Sequence, residues 1–247
     1  MLRLIVIVLT GSILAVAGWD LYRFLFISDF FIISQVDIEG CDKTSPGEFL
    51  SLADVQPGTN IFRCKTGQIQ DRLRRHPWVE DVRIARVLPS QLQIVIKERV
   101  PLAAINSTFD GQIYGLDRHL VLLPEPETAA GVEHAAAPPC FDLPIITGLP
   151  PQDIFPGNRL STLVAERLVN TLVALRTLNS SLLENLSEIN VDPEGNLTLY
   201  PVERTQAIYL GRENLQQRTY RLCQVWNYLQ ENKIDSGYID CRFDSQG

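Results

Sequence analysis

The sequence predicts an α+β protein: an N-terminal transmembrane helix, a small β-α-α-β-β domain, and then an antiparallel β domain with two packed helices. Three observations predict it. Residues 1–28 hold a long apolar run, residues 33–104 alternate strand patterns with two short helical segments, and residues 105–247 carry strand patterns around two amphipathic helical ones.

The opening run justifies the first element. Leu4–Trp19 carries no charge, and Leu21–Ile27 continues it beyond Asp20. A bilayer core takes roughly 20 apolar residues, so the span borrows Leu21–Ile27 or holds Asp20 and Arg23 near an interface. Trp19 and Tyr22 suit an interfacial position. The rival reading is a cleavable signal peptide, with Arg3 as a meagre basic start and Ala15-Val16-Ala17 as the small-x-small cleavage pattern. Both readings send everything after residue 28 out of the cytoplasm. The charge bias across the segment is slight, with Arg3 on one side and Asp20, Arg23 and Asp29 on the other.

In the first domain, residues 33–40 alternate so that Val36 and Ile38 share one face and Gln35, Asp37 and Glu39 the other, which is a half-buried strand ending at Gly40. Ser45-Pro46-Gly47-Glu48 has the capping-box pattern, with proline at the first helical position, and opens a short helix toward Leu52. A second helix starts at Thr66, places Ile69 and Leu73 inward and Arg72, Arg74 and Arg75 outward, and stops at Pro77. Trp78–Val87 and Gln91–Lys97 read as two strands joined by Leu88-Pro89-Ser90.

In the second domain, Gln112–Asp117 and Leu120–Pro124 read as strands, and Glu125–Pro139 as a loop. Leu143–Leu149 resumes the ordered chain. Leu160, Leu163, Val164, Leu168, Leu172 and Leu175 then follow helical spacing up to about Asn179. Leu186–Val191, Leu197–Tyr200 and Gln206–Leu210 suggest an antiparallel meander. A second helix from about Glu213 turns Leu215, Leu222, Trp226 and Leu229 inward and Arg218, Arg221 and Gln224 outward. Tyr238–Phe243 closes the chain as a strand, its parity placing Ile239, Cys241 and Phe243 on the core side.

A formal net charge of -7 argues against a nucleic-acid partner, because phosphate binding needs a concentrated excess of Lys and Arg. The five cysteines, Cys41, Cys64, Cys140, Cys223 and Cys241, include no C-x-x-C. A Cys223–Cys241 disulfide and two separate buried thiols both fit a helix packed on a strand, the thiols being favoured. No nucleophile elbow, P-loop, dinucleotide fingerprint or H-E-x-x-H occurs. A three-ligand metal set can be drawn from His119, His134 and Cys140, but nothing in their spacing favours it. No catalytic residue, metal or cofactor is expected.

The motifs in order are V-D-I-E-G at Val36–Gly40, G-T-N-I-F at Gly58–Phe62, H-P-W-V at His76–Val79, R-V-L-P-S at Arg86–Ser90 and K-E-R-V-P-L-A at Lys97–Ala103. They continue with G-Q-I-Y-G-L-D at Gly111–Asp117, L-P-I-I-T-G at Leu143–Gly148, L-S-E-I-N-V-D at Leu186–Asp192, I-Y-L-G-R at Ile208–Arg212 and Y-I-D-C-R-F-D-S at Tyr238–Ser245. Single motifs are weak, but their order and spacing over nearly the whole chain resemble the FtsQ/DivIB cell-division family. The resemblance implies an anchor over residues 1–28, a POTRA domain over 33–104 and a β domain over 105–247. Relatives usually carry a charged cytoplasmic tail before the anchor, where this sequence has Met1–Arg3, and commonly run on past the position of Gly247.

The resemblance also implies what the protein does: no catalysis, but a divisome scaffold in the cell inner membrane at the septum. Such a scaffold has its N-terminus in the cytoplasm and its domains in the periplasm, and links other divisome membrane proteins to septal peptidoglycan synthesis. In a POTRA-type sheet, Val79–Val87 is expected at an open edge that another chain can extend, with Glu80, Asp81, Arg83 and Arg86 protecting it and selecting the partner. At the C-terminus, Tyr238, Arg242, Phe243 and Ser245 are expected to receive small coiled-coil division proteins of the FtsB/FtsL type. Arg242 would pair a carboxylate and Phe243 supply an aromatic contact. The rival functions are a POTRA-type outer-membrane assembly or secretion factor and a periplasmic enzyme released by signal cleavage. The first needs repeated POTRA modules or barrel strands, and the second a convergent polar pocket.

Overall fold

The computed structural model describes residues 2–56, 58–107, 111–125, 143–149, 159–202, 207–234 and 237–243. The chain divides into two compact units, Met1–Glu98 and Arg99–Gly247.

The first unit opens with α1, Leu2–Ile27. Within it, Ile7–Ile27 is long and apolar enough to cross a membrane, and none of that stretch is buried by protein. Helix α1 stops where the Ser28 hydroxyl accepts the Phe30 amide at 3.2 Å and starts a 3-10 turn over Asp29–Phe31.

A three-stranded sheet follows, built from β1 (Gln35–Glu39), β2 (Val79–Val87) and β3 (Gln91–Glu98), with α2 (Pro46–Ala53) and α3 (Thr66–Leu73) between the first two strands. The order is β1-β3-β2, with β1 parallel and β2 antiparallel to the central β3. The parallel pair needs a crossover, which the helices supply. Phe49, Ile69, Leu73, Val82, Leu92, Ile94 and Ile96 form the core. Gly40 ends β1 at φ 84°, and a Cβ there would collide with the Ile96 carbonyl oxygen, so the position needs glycine for both reasons.

Polar side chains close this unit in ways that periodicity does not announce. The Ser45 hydroxyl accepts the Gly47 amide at 3.3 Å, but Glu48 does not complete a capping box and instead meets His76 Nε2 at 2.9 Å. Arg72, expected outward, donates to the carbonyls of Leu52 and Ala53 and so fastens the end of α2 to α3. The Glu98 carboxylate accepts the amides of Asp42, Lys43 and Thr44 at 2.8–3.0 Å and the Thr44 hydroxyl at 2.7 Å, gathering the loop before α2.

The second unit is one eight-stranded sheet with helices. Its strands are β4 (Pro101–Asn106), β5 (Ile113–Asp117), β6 (Leu122–Leu123), β7 (Ile145–Thr147), β8 (Leu186–Val191), β9 (Leu197–Pro201), β10 (Ala207–Gly211) and β11 (Tyr238–Asp240). The spatial order is β11-β10-β9-β8-β7-β4-β5-β6. Strands β8, β9 and β10 form the expected antiparallel meander, whereas β4–β7, β7–β8 and β10–β11 are parallel, so the sheet is mixed. Each parallel pair follows from a long connection, which returns the chain in the same direction. Residues 99–104, grouped by sequence with the first domain, fall in the second unit because Pro101–Asn106 pairs with β5 and β7.

Helices α4 (Leu163–Leu178) and α6 (Leu215–Glu231) bury Leu168, Leu172, Leu175, Leu222 and Trp226 with Ile105, Leu116, Ile189, Leu199 and Ile208 of the sheet. A short helix α5, Ser180–Glu184, is capped by the Asn179 side chain accepting the Leu182 amide at 3.0 Å. Gly148 follows β7 at φ 83°, where a Cβ would strike the Val191 carbonyl oxygen. Asp117 is 1% exposed; it pairs with Arg99 Nη1 at 2.7 Å and accepts the amides of His119 and Val121, so its buried charge is fully engaged.

Candidate partner-binding edges

The sheet order β1-β3-β2 leaves β2 at an edge of the first unit, where the sequence expects it. A register shift between Val79 and Asp81 puts Glu80 in a bulge, one of the devices by which proteins blunt an open edge. Glu80 pairs with Lys97 Nζ at 3.0 Å. Asp81 takes Arg74 at 3.1 Å and Arg83 at 3.8 Å, and the hydrogen bond from Arg74 foremost holds its carboxyl below the usual range. Arg86 Nε and Nη2 donate to the Ile61 and Cys64 carbonyls, each at 2.9 Å, tying the strand to the α2–α3 connection. The Gln70 amide reaches the Val82 carbonyl at 2.7 Å. Of the four expected side chains, Arg83 makes only the long contact to Asp81 and points to solvent, its side chain 87% exposed.

The other edge is β11. It pairs in parallel with β10, Ala207 opposite Tyr238 and Tyr209 opposite Asp240, and the Cys241 amide donates to Tyr209 O at 2.9 Å. Ile239 and Cys241 are buried, as their alternation predicts. Phe243 departs from that parity: it is 72% exposed, because the strand ends at Asp240 and the pleat no longer fixes which way the following residues point. Tyr238 is 65% exposed and meets Tyr209 edge to face at a centroid distance of 6.5 Å.

Arg242 is not a free cation. Its Nη2 and Nε bond the two carboxylate oxygens of Asp240 at 2.7 and 3.0 Å, and its guanidinium lies 5.0 Å from the Tyr209 ring centre. The Arg242 hydrogen bond depresses the Asp240 carboxyl, and Asp240 raises Arg242 in return. The edge is held from behind by two arginines that were expected outward. Arg218, 7% exposed, donates to Leu210 O at 3.0 Å and Arg242 O at 2.8 Å, and Arg221 donates to Phe243 O at 2.7 Å. The signal was present: Leu215, Arg218 and Leu222 stand at i, i+3 and i+7, one face of α6.

Tyr238, Asp240, Arg242 and Phe243 thus form a presented strand end with aromatic groups and an internal ion pair. Ser245, His134 and Cys140 lie outside the described residues. Among the described residues no group of His, Cys, Asp and Glu is placed to hold a metal ion, and Cys41, Cys64, Cys223 and Cys241 are free thiols. Burial, with Glu98 and Asp42 beside it, pushes the Cys41 thiol up to about 11, and burial raises Cys64, Cys223 and Cys241.

An N-terminal helix long and apolar enough to cross a membrane, followed by a β-α-α-β-β unit and a mixed-sheet unit, is the arrangement of a POTRA-bearing protein. The model for the POTRA domain, FtsQ-type, matches residues 31–99, and that for the cell division protein FtsQ/DivIB C-terminal region matches residues 108–242. A cell division protein FtsQ from Anaeromyxobacter sp. (strain K) is 30% identical over 87% of this chain and 68% of its own length. Those from Syntrophotalea carbinolica and Rhodothermus marinus are 26% and 29% identical, over 93% and 87% of this chain and 77% and 76% of their own. The chain belongs to the FtsQ/DivIB family of cell division proteins.

Proposed function

We propose that this protein is a non-enzymatic scaffold of the divisome that binds its partners through strand edges. In this reading α1 is a retained single-pass anchor in the inner membrane, with the N-terminus cytoplasmic and both units periplasmic at the division septum. The β11 edge receives a strand from a small coiled-coil division protein of the FtsB/FtsL type. The β2 edge, selected by Arg83, serves other divisome membrane proteins, and the scaffold links them to septal peptidoglycan synthesis.

The observation that carries the reading is the strand end at β11, where Tyr238 and Phe243 are exposed on a backbone that Arg218 and Arg221 hold in place. A pre-ordered edge pays less entropy when a second strand pairs with it. Since Arg242 is already paired with Asp240, a partner carboxylate would share or displace that contact, so Arg242 selects among partners more than it attracts them.

The test is retrieval of the intact protein from solubilised membranes, with co-purifying proteins identified by mass spectrometry. Small coiled-coil division proteins are expected with the unaltered chain, reduced by Phe243→Ala or Arg242→Glu, and a different subset should be lost with Arg83→Pro. Recovery of a cleaved soluble chain without division partners would overturn both anchor and scaffold.

A further inference from the structure

The G-T-N-I-F motif at Gly58–Phe62 has a use beyond turning the chain between α2 and α3. Asn60 Nδ2 donates to Leu25 O in the last turn of α1 at 2.9 Å, and Asn60 Oδ1 accepts the Phe62 amide at 2.9 Å. Ile61 N donates to Phe31 O at 2.8 Å, Ile33 N donates to Thr59 O at 3.0 Å, and Ile32 bridges Asn60. Aromatic rings fill the joint: Phe26 lies 5.9 Å and Phe31 5.1 Å from Phe62, and Phe24 packs on Phe30 and Phe31. Asn60, 35 positions downstream of Leu25, is therefore hydrogen-bonded to the end of the very helix that is apolar enough to span a bilayer.

That joint fixes the environment of the loop. The apolar window of α1 ends at Ile27, so in a bilayer spanned by α1 the groups bonded at Leu25 and Phe31 would lie where hydrocarbon gives way to headgroups. The side chains presented there match that depth. Phe30 is 60% exposed and Phe62 half-buried, while Arg63 and Lys65 are exposed beside them and Arg23 lies one turn back on α1. Aromatic rings favour the interfacial layer, and exposed Lys and Arg reach phosphates from it.

We propose that the Thr59–Lys65 loop is a membrane-contact surface, which seats the first unit on phospholipid headgroups with Phe30 and Phe62 among the upper acyl chains and Arg63 and Lys65 on the phosphates. The proposal rests on α1 being a retained span. Its consequence is that the anchor and the first unit move as one body, so that the β2 edge is offered at a set height above the bilayer.

The test uses the full chain in phospholipid vesicles whose acyl chains are brominated at either a shallow or a deep carbon, read by tryptophan fluorescence. Native Trp19 reports the span. The apolar window running on to Ile27 moves Trp19 away from the interface where the sequence expects it: it stands eight residues, about 12 Å of helix, before Ile27, so the deep bromines should quench it more. In a Trp19→Phe background, Phe62→Trp and Arg63→Trp report the loop against the buried Trp78 and Trp226. Arg63 is exposed, so that variant leaves the packing intact. Both loop variants should lose emission to the shallow bromines more than to the deep ones. If Trp19 is quenched and neither loop variant is, the membrane-contact surface is wrong while the span stands. If Trp19 is not quenched, the span itself fails, and the proposal with it.

Discussion

Arg218 illustrates how a single buried cation shapes an edge 24 residues away. Its guanidinium satisfies Leu210 O and Arg242 O at 3.0 and 2.8 Å, and no apolar replacement can do so. Leaving two such acceptors unpaired costs about 2 kcal/mol in total after the relief of burying a charge is allowed for. Arg218→Met should therefore lower unfolding free energy by that order in urea titration, and should speed hydrogen exchange at Cys241–Phe243. Phe243→Ala is expected to do neither, because the ring is exposed, yet to weaken partner retention. Asp240 adds a pH dependence. Arg242 holds its folded-state carboxyl below the unfolded value, so the contribution is complete above about pH 4 and is lost as pH falls through the depressed value. The stability difference between the native chain and Asp240→Asn should stay constant from about pH 5 to 8 and shrink below about pH 4.

At the scale of elements, alternation located β3 and β8 closely, since each buries one face of a regular repeat, whereas β1 is only half-buried and α4 begins at Leu163, after Leu160 of the expected series and with Leu163 itself exposed. The same reasoning failed where the repeat stopped. Carrying the β11 pleat three residues beyond Asp240 puts Phe243 in the core, where the structure leaves it exposed, and the five residues of α5 are too few to show a period. Parallel pairing of β7 and β11 was hidden for another reason: it depends on where long connections return, which no local pattern records. The charged residues of β2 were legible as an edge, but their internal partners Lys97, Arg74, Ile61 and Cys64 are contributed from other segments. Gly148 tests the packing of β7 on β8. Gly148→Ala meets both a left-handed φ and the Val191 carbonyl, so it should cost more than about 2 kcal/mol, measured as a lowered denaturation midpoint.

At the scale of the molecule, the two units have separate cores, one around Phe49 and Ile94 and the other around Leu168 and Trp226. Leu168→Ala should cost about 3 kcal/mol in the second unit, and calorimetry should show that component shifting while the first unit's does not. Each edge is held by its own unit, β2 on the first core and β11 on the second. Strand addition at β11 is tested by photo-crosslinking in membranes, with a photoreactive residue at Tyr238 or Phe243 and, for comparison, at exposed Arg176 on α4. A strand received at β11 gives a crosslink to a small coiled-coil division protein from both β11 positions and none from Arg176. Crosslinks that are absent at β11, or that reach such a partner equally from Arg176, would contradict an edge that receives a strand.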